Sequence, residues 1–230
     1  FDPFTFEEDT TYYWRVEAID SAQNKVTSSV WRFTTRREAD PIKTIDVALI
    51  IDSSGSMAWN DPANMRKAAA KVFIEAMVSG DRLTVVDFDS GSRVPFSLQL
   101  LVDSRIAPLA AVDTIDSNGG TNIGLGMQTG YNQLLGSPTN DPKAAVLLTD
   151  GQGDYTNQAQ LYKAKGWPVF TIGLSDEADE ALLRKIATDT GGQYFSLTDP
   201  NQLIQVYFAI QAAVTGSDIV VETSEPVTAA

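Results

Sequence analysis

The string Asp52-Ser53-Ser54-Gly55-Ser56 places one carboxylate and three hydroxyls on a short turn. It follows the apolar run 47–51, which is typical of a buried β-strand. Because Asp52, Ser54 and Ser56 occupy alternate positions on a turn that contains glycine, their side-chain oxygens can converge on one point. Oxygen-only ligands of this kind suit a hard divalent cation such as Mg²⁺. The sequence therefore predicts a cation site at the end of this strand.

A second carboxylate stands at the end of another apolar run. Asp150 follows residues 144–149, which also read as a buried strand. In an open α/β sheet, ligands bind outside the carboxyl ends of the strands. We therefore expect Asp150 to lie at the same edge of the sheet as Asp52.

Strands alternate with helices from about residue 42 to residue 216. This alternation predicts a doubly wound, mostly parallel α/β sheet with helices on both faces, a Rossmann-like arrangement. The predicted strands are 45–51, 82–88, 144–149, 168–173 and 193–197, with a more polar candidate edge strand at 93–101.

Capping residues mark the predicted helices. Asp61-Pro62 is expected to open one helix and Gly80 to close it. Asp199-Pro200 is expected to open the last helix in the same way. That helix should turn four apolar residues inward, Leu203, Val206, Ile210 and Ala213. The other predicted helices lie near 105–115, beginning close to Pro108, at 122–135, near 156–165 with Gly166 at its end, and near 177–190 with Gly191-Gly192 at its end.

The first 36 residues follow a different pattern, with many aromatic residues and alternating polarity. One predicted strand places Tyr12, Trp14, Val16 and Ala18 on a single face. A turn at 20–24 and a returning strand at 29–34 complete a β-hairpin. An isolated hairpin is marginally stable in water, so its aromatic face should be covered. The cover could come from the α/β domain, from a strand at 219–221, or from another chain.

Composition excludes several classes of function. The 230 residues carry a net charge of -13, which disfavours binding to nucleic acid or anionic membranes. The absence of His and Cys excludes His-ligated zinc, Cys nucleophiles and Ser-His-Asp triads. No stretch approaches the ~20 apolar residues of a membrane helix. The first residues lack the features of a signal peptide, so we expect the chain to come from a longer protein.

Three segments together resemble the von Willebrand factor type A domains: 52–57 with its Asp-x-Ser-x-Ser string, 117–122, and 149–151. In that family, a Thr on the second loop and an Asp on the third complete a metal-ion-dependent adhesion site, or MIDAS. The resemblance implies that Ser54 and Ser56 bind Mg²⁺ directly, and that Thr121 does so in the ligand-engaged form. It implies that Asp52 and Asp150 hold the ion mainly through water. Mn²⁺ and Ca²⁺ are further candidates.

This resemblance implies a non-enzymatic adhesion module that binds an Asp or Glu of a partner protein. The acidity, the absence of Cys and the fibronectin-like N-terminal segment described below favour an extracellular or cell-surface location, in a prokaryote. Other interpretations stay open: turn and cap residues without metal, a metal that only rigidifies the loops, or a spacer domain with an idle site. A Mg²⁺-dependent hydrolase is disfavoured, because phosphatases with an Asp nucleophile carry a second Asp where this chain has Ser54. The sequence leaves the oligomeric state undefined.

Residues 10–35 resemble the last two strands of a fibronectin type III domain. The matching segments are 11–16 and 30–35, and Tyr12 matches the tyrosine-corner position of such sandwiches. The expected organisation is a fibronectin-like fragment at 1–36, a linker at 37–41, a type A domain at 42–217, and a tail or further strand at 218–230.

Overall fold

The computed structural model describes residues 7, 10–15, 17–19, 21, 23–28, 31–34, 44–175, 178–196 and 202–215. An N-terminal β-hairpin and the α/β unit Lys43–Gly216 are separate compact units. Several sequence predictions fall outside the described residues: the position of Val16, the linker at 37–41, the Asp199-Pro200 cap, and the tail with its strand at 219–221.

The hairpin consists of two short antiparallel ladders. Strand β1 pairs with β4, with Tyr12 opposite Phe33, and β2 pairs with β3, with Ala18 opposite Val26. The register changes by one residue between the ladders, so the predicted hairpin is confirmed but interrupted. The Tyr12 hydroxyl accepts a hydrogen bond from the Glu7 N–H at 2.7 Å. Trp14 is 48% exposed. The strands are β1 (Thr11–Trp14), β2 (Glu17–Ile19), β3 (Lys25–Thr27) and β4 (Trp31–Thr34).

The α/β unit is built on a six-stranded sheet in the order β10-β9-β8-β5-β6-β7. All neighbours are parallel except β7, which pairs antiparallel with β6. Strand β7 lies at one edge of the sheet, as its polar pattern predicted. Chain order reverses between β5 and β8, the kind of switch point at which open α/β sheets bind ligands. The strands are β5 (Asp46–Asp52), β6 (Arg82–Phe88), β7 (Ser92–Leu100), β8 (Lys143–Thr149), β9 (Val169–Gly173) and β10 (Tyr194–Ser196).

Seven helices of the described chain accompany this sheet. They are α1 (Met57–Asn60), α2 (Met65–Ala76), α3 (Ile106–Asp113), α4 (Ile123–Leu135), α5 (Ala159–Lys165), α6 (Glu180–Thr190) and α7 (Gln202–Thr215). Strand β5 is buried on both faces: Val47, Leu49 and Ile51 belong to one apolar cluster, and Ala48 and Ile50 to the other. The first cluster includes α2, α3 and α7, and the second includes α4, α5 and α6. None of the helices in the described residues is long and apolar enough to cross a membrane.

The predicted helix from Asp61-Pro62 to Gly80 is wrong at both ends. Helix α2 begins at Met65, after Asn64 with a left-handed φ of 54°, and ends at Ala76. The Asp61 carboxylate still serves the helix, because it accepts hydrogen bonds from the N–H groups of Met65 (2.6 Å) and Arg66 (3.1 Å). Asp61 therefore caps α2 from a position four residues before its first residue.

The predicted inward face of the last helix is partly wrong. Val206 and Ile210 are buried in the core, but Ala213 is exposed. The side chain of Leu203 lies outside the described part of the structure. Gly166 and Gly191 end α5 and α6 with left-handed φ values of 67° and 80°, as predicted.

Candidate metal centre

The site is organised around Asp52, the last residue of the central strand β5. Its side chain is fully buried, and both of its oxygens accept hydrogen bonds. Oδ1 accepts from the Ser54 N–H at 2.8 Å, which folds the turn back over the strand end. Oδ2 accepts from the Thr149 hydroxyl at 2.5 Å, which ties the end of β8 to the end of β5.

The hydroxyls of Ser54 and Ser56 lie beside each other above this carboxylate. Their Oγ atoms are 3.0 Å apart, and Ser56 Oγ donates to Asp150 Oδ2 at 2.7 Å. Four of the five predicted site residues, Asp52, Ser54, Ser56 and Asp150, are thus linked through hydrogen bonds within the first and third site loops. We define these loops as residues 52–56 and 149–154.

Thr121 reaches the site through the backbone of its loop, the second site loop (residues 117–122). Gly119 O accepts from the Gly55 N–H at 3.0 Å, and Thr121 O accepts from the Asp154 N–H at 2.8 Å. The second loop is therefore attached to both of the others. In the described residues, no hydrogen bond joins the Thr121 hydroxyl to the other four site residues.

The contacts argue against a purely local turn-and-cap interpretation. Ser56 occupies the N-cap position of α1 but makes no side-chain cap hydrogen bond, and its hydroxyl is directed to Asp150 instead. Helix α4 is capped by Asn122, whose side chain accepts from the Leu125 N–H at 2.8 Å. Thr121 is therefore not needed as a cap.

Two carboxylates are buried here without a cationic side chain. Asp52 and Asp150 are both fully buried, and neither forms an ion pair within the described residues. Burial, with a smaller contribution from the nearby Asp150 charge, raises the pKa of Asp52 to about 6. Hydrogen bonds from Ser54 and Thr149 act in the opposite direction. Such a site favours a bound cation, because a cation offsets the negative charge.

The spacing of the oxygens fits a small octahedral ion. Mg²⁺–oxygen bonds of 2.0–2.1 Å at right angles put neighbouring ligand oxygens about 2.9 Å apart. The Ser54–Ser56 separation of 3.0 Å, between two of the proposed direct ligands, is close to this value. No group of three or more His, Cys, Asp or Glu residues suited to a metal occurs in the described chain. Hydroxyl oxygens would therefore have to supply part of any coordination here.

The same geometry is poorly suited to nucleophilic chemistry. Asp52 is buried, and its two oxygens are engaged by Ser54 and Thr149. An attacking carboxylate must present an oxygen to substrate within bonding reach. The arrangement supports ion binding better than covalent catalysis.

Two further residues at the site carried no role in the sequence analysis. The Thr149 hydroxyl donates a hydrogen bond to Asp52 and accepts one from the Gly151 N–H at 3.0 Å. Asn60 donates to Asp150 Oδ2 at 3.0 Å from the last position of α1. The sequence signals were the polar residue that ends the β8 run and the four-residue spacing from Ser56 to Asn60, which is one helical turn.

The sequence model of the von Willebrand factor type A domain matches residues 46–208. The chain is 31% identical over 178 residues to human calcium-activated chloride channel regulator 4, covering 74% of this chain and 19% of that protein. It is 25% identical over 169 residues to an uncharacterised Synechocystis protein, covering 71% of this chain and 40% of that protein. The chain thus spans less than half the length of either relative.

Solved structures with the same fold include a von Willebrand factor type A protein from Catenulispora acidiphila. Its TM-score is 0.62 at 26% identity, over 80% of this chain and 45% of that one. The corresponding domain of the type V pilus tip protein Mfa5 from Porphyromonas gingivalis has a TM-score of 0.61 at 15% identity, over 76% and 96%. Proximal thread matrix protein 1 of the mussel byssus, solved with a zinc-occupied MIDAS motif, has a TM-score of 0.61 at 21% identity, over 74% and 46%.

Proposed function

Because this chain belongs to the von Willebrand factor type A family, we propose that it is a metal-dependent protein-binding module. Ser54 and Ser56 would hold a divalent cation directly, Mg²⁺ first and Mn²⁺ or Ca²⁺ as alternatives, and Thr121 would bind it directly in the ligand-engaged form. Asp52 and Asp150 would hold it mainly through water and hydrogen bonds. The bound cation would supply a positive charge that accepts a carboxylate from outside.

One observation carries this proposal. The hydroxyls of Ser54 and Ser56 lie side by side next to two buried carboxylates, Asp52 and Asp150, that form no ion pair within the described residues. Neutral hydroxyl ligands withdraw little of the positive charge of a cation, so an incoming acid can still be attracted to it. The partner group is therefore proposed to be an Asp or Glu side chain on another protein. This fits a chain of net charge -13, whose surface alone would repel an acidic partner.

The proposed setting is the surface of a prokaryotic cell. It is supported by fold neighbours such as a pilus tip protein. The N-terminal hairpin is proposed to be the end of a fibronectin type III-like sandwich. The contact from the Glu7 N–H to the Tyr12 hydroxyl supports this, because a tyrosine corner bonds to backbone a few residues upstream.

Calorimetric titration of Mg²⁺ into the wild-type chain and into Ser54→Ala and Ser56→Ala tests the metal site. We expect the wild type to bind one ion and each variant to bind at least about tenfold more weakly, since each loses a ligand oxygen. Ser79→Ala is the matched control, because Ser79 donates its hydroxyl to Asp103 at the other end of the sheet. Absence of Mg²⁺, Mn²⁺ and Ca²⁺ binding by the wild type would refute the proposal.

Capture of partner proteins with and without EDTA tests the second half of the proposal. We expect partners to be lost with EDTA and to be absent when Ser56→Ala is the bait. Replacing acidic residues of a recovered partner by their amides should abolish capture. Metal binding with no metal-dependent partner would instead support the spacer function.

A further inference from the structure

Arg66, on the first turn of α2, is fully buried beside the site. Its NH1 donates to Asp61 Oδ2 at 2.7 Å. Its NH2 donates to Asp116 O at 2.7 Å and to Ser117 Oγ at 2.8 Å. A single guanidinium therefore joins the segment after the first site loop to the start of the second.

Both ends of this connection lead directly to proposed metal ligands. Asp61 follows α1, whose Asn60 donates to Asp150 and whose N-cap residue is Ser56. Ser117 begins the second site loop, which carries Thr121 four residues later. The path from Ser56 to Thr121 through Arg66 is continuous in hydrogen bonds and short stretches of chain.

Burying this ion pair is not an efficient way to stabilise a fold. Two charges lose their hydration, and Arg66 Nε has no hydrogen-bond partner within the described residues. Buried ion pairs of this kind often contribute little net stability compared with apolar side chains of similar size. The arginine instead fixes the relative positions of its partners, because its planar guanidinium donates hydrogen bonds to a carboxylate, a carbonyl and a hydroxyl in fixed directions.

We propose that Arg66 is a positioning residue of the metal centre, which holds the second site loop, and with it Thr121, at a fixed distance from Ser54 and Ser56. The inference rests on the proposed function, since it assigns to Arg66 a part in metal affinity. Loss of the guanidinium should weaken metal binding through a displaced Thr121 loop while the protein stays folded.

The chain offers a matched control at the opposite end of β5, the strand that ends at the site. Lys143 is buried and donates to Asp46 Oδ2 at 2.9 Å, to Thr139 O and to Asp141 O, both at 3.0 Å. Asp46 begins β5, whereas the site lies where β5 ends. The exchanges Arg66→Lys and Lys143→Arg both keep the charge of a buried ion pair and change its hydrogen-bond geometry.

The experiment compares Mg²⁺ dissociation constants and urea unfolding midpoints, measured without metal, for the wild type and these two variants. Both variants should have lower midpoints. Arg66→Lys should raise the Mg²⁺ dissociation constant roughly tenfold, the lower end of the range for outer partners of a metal site. Lys143→Arg should leave it within about twofold of wild type, because that ion pair lies remote from the ligands.

Ser117→Ala provides a milder second variant in case Arg66→Lys fails to fold. It removes one acceptor of the guanidinium without leaving a charge unpaired, and it should give a smaller increase in the same constant. An unchanged constant in the folded Arg66 variant, or equal increases in both ion-pair variants, overturns the positioning role alone. Absence of Mg²⁺ binding by the wild type overturns the proposed function itself and this inference with it.

Discussion

At the level of single residues, the Ser56 hydroxyl argues against a purely local structural turn. It stands where a helix cap would stand, yet it donates to Asp150, 94 positions later in the chain. A cap hydrogen bond would stabilise α1 locally. The observed bond instead joins two loops from neighbouring strand ends, and it holds the Ser56 oxygen 3.0 Å from that of Ser54.

Trp59 lies on α1 close to this site, and we expect it to contact a partner. It is 71% exposed on α1, next to Asn60, which contacts Asp150. Large exposed aromatic side chains at the centre of an interface often dominate its energy. We predict that Trp59→Ala weakens binding of an EDTA-sensitive partner by about tenfold or more, a loss of ~1.4 kcal/mol.

The Mg²⁺ dissociation constant of Trp59→Ala should remain within about twofold of wild type, because Trp59 supplies no ligand oxygen. Ile106→Ala is the matched control. Ile106 is 78% exposed at the start of α3. Helix α3 follows the end of β7, which pairs with the beginning of β6, so Ile106 lies near the end of the sheet opposite to the site. Equal partner affinity for Trp59→Ala and wild type would remove Trp59 from the interface.

At the scale of elements, the strands were the part of the fold that the sequence predicted best. Six strands appear within a residue or two of their expected positions: four buried runs, the partly exposed β10 and the polar edge strand β7. For the four buried strands, burial on both faces leaves a continuous apolar signal. Asp52 and Asp150 were placed correctly at strand ends for the same reason.

Helix ends and long-range contacts were less accessible from the sequence. Asp61-Pro62 has the composition of a helix start, but a left-handed Asn64 delays α2 to Met65. Ala213 matches the helical period of Val206 and Ile210 and is nevertheless exposed. The Arg66–Ser117 contact joins residues 51 positions apart, and no local pattern encodes such a pair.

Helix α7 is attached to the sheet through a buried carboxylate that should respond to pH. Asp81 accepts hydrogen bonds from the Ile45 N–H at 3.0 Å, the Val78 N–H at 3.1 Å and the Tyr207 hydroxyl at 2.8 Å. Burial nevertheless raises the pKa of Asp81 above its ordinary value of 3.8. The folded chain therefore binds this proton more tightly than the unfolded chain does.

The stability contributed by protonated Asp81 is thus fully present below pH 3.8 and is lost as the pH rises through the raised pKa. Asparagine cannot titrate. We predict that the unfolding free energy of wild type minus that of Asp81→Asn is larger at pH 4 than at pH 7. Urea unfolding of both proteins across this range measures it.

Asp113 provides a control of opposite sign. It is exposed, and its hydrogen bond with Lys71 lowers its pKa. The corresponding difference for Asp113→Asn should favour wild type more at pH 7 than at pH 4, with a small amplitude because the pair is solvated. If the unfolding free energy of wild type minus that of Asp81→Asn is constant between pH 4 and pH 7, or increases with pH, the prediction is wrong.

At the scale of the whole molecule, an acidic chain carries the proposed cation site at one edge of its sheet. The net charge of -13 repels other anionic surfaces in general, whereas a bound divalent cation would attract a carboxylate locally. General repulsion together with local attraction would favour a partner that presents one well-placed acid over a broadly acidic surface. Salt screens the general repulsion more strongly than the contact at the metal.

All site contacts described above join residues of the unit Lys43–Gly216. Both apolar clusters that support the strand ends also lie within it. We therefore predict that a chain of residues 43–216 alone binds Mg²⁺ with a dissociation constant within about twofold of that of residues 1–230, since no ligand or outer partner is removed. Calorimetry on both chains, with circular dichroism to verify folding, measures this. A folded 43–216 chain that binds Mg²⁺ tenfold more weakly would mean that residues outside this unit complete the site, and the five-residue assignment would then be insufficient.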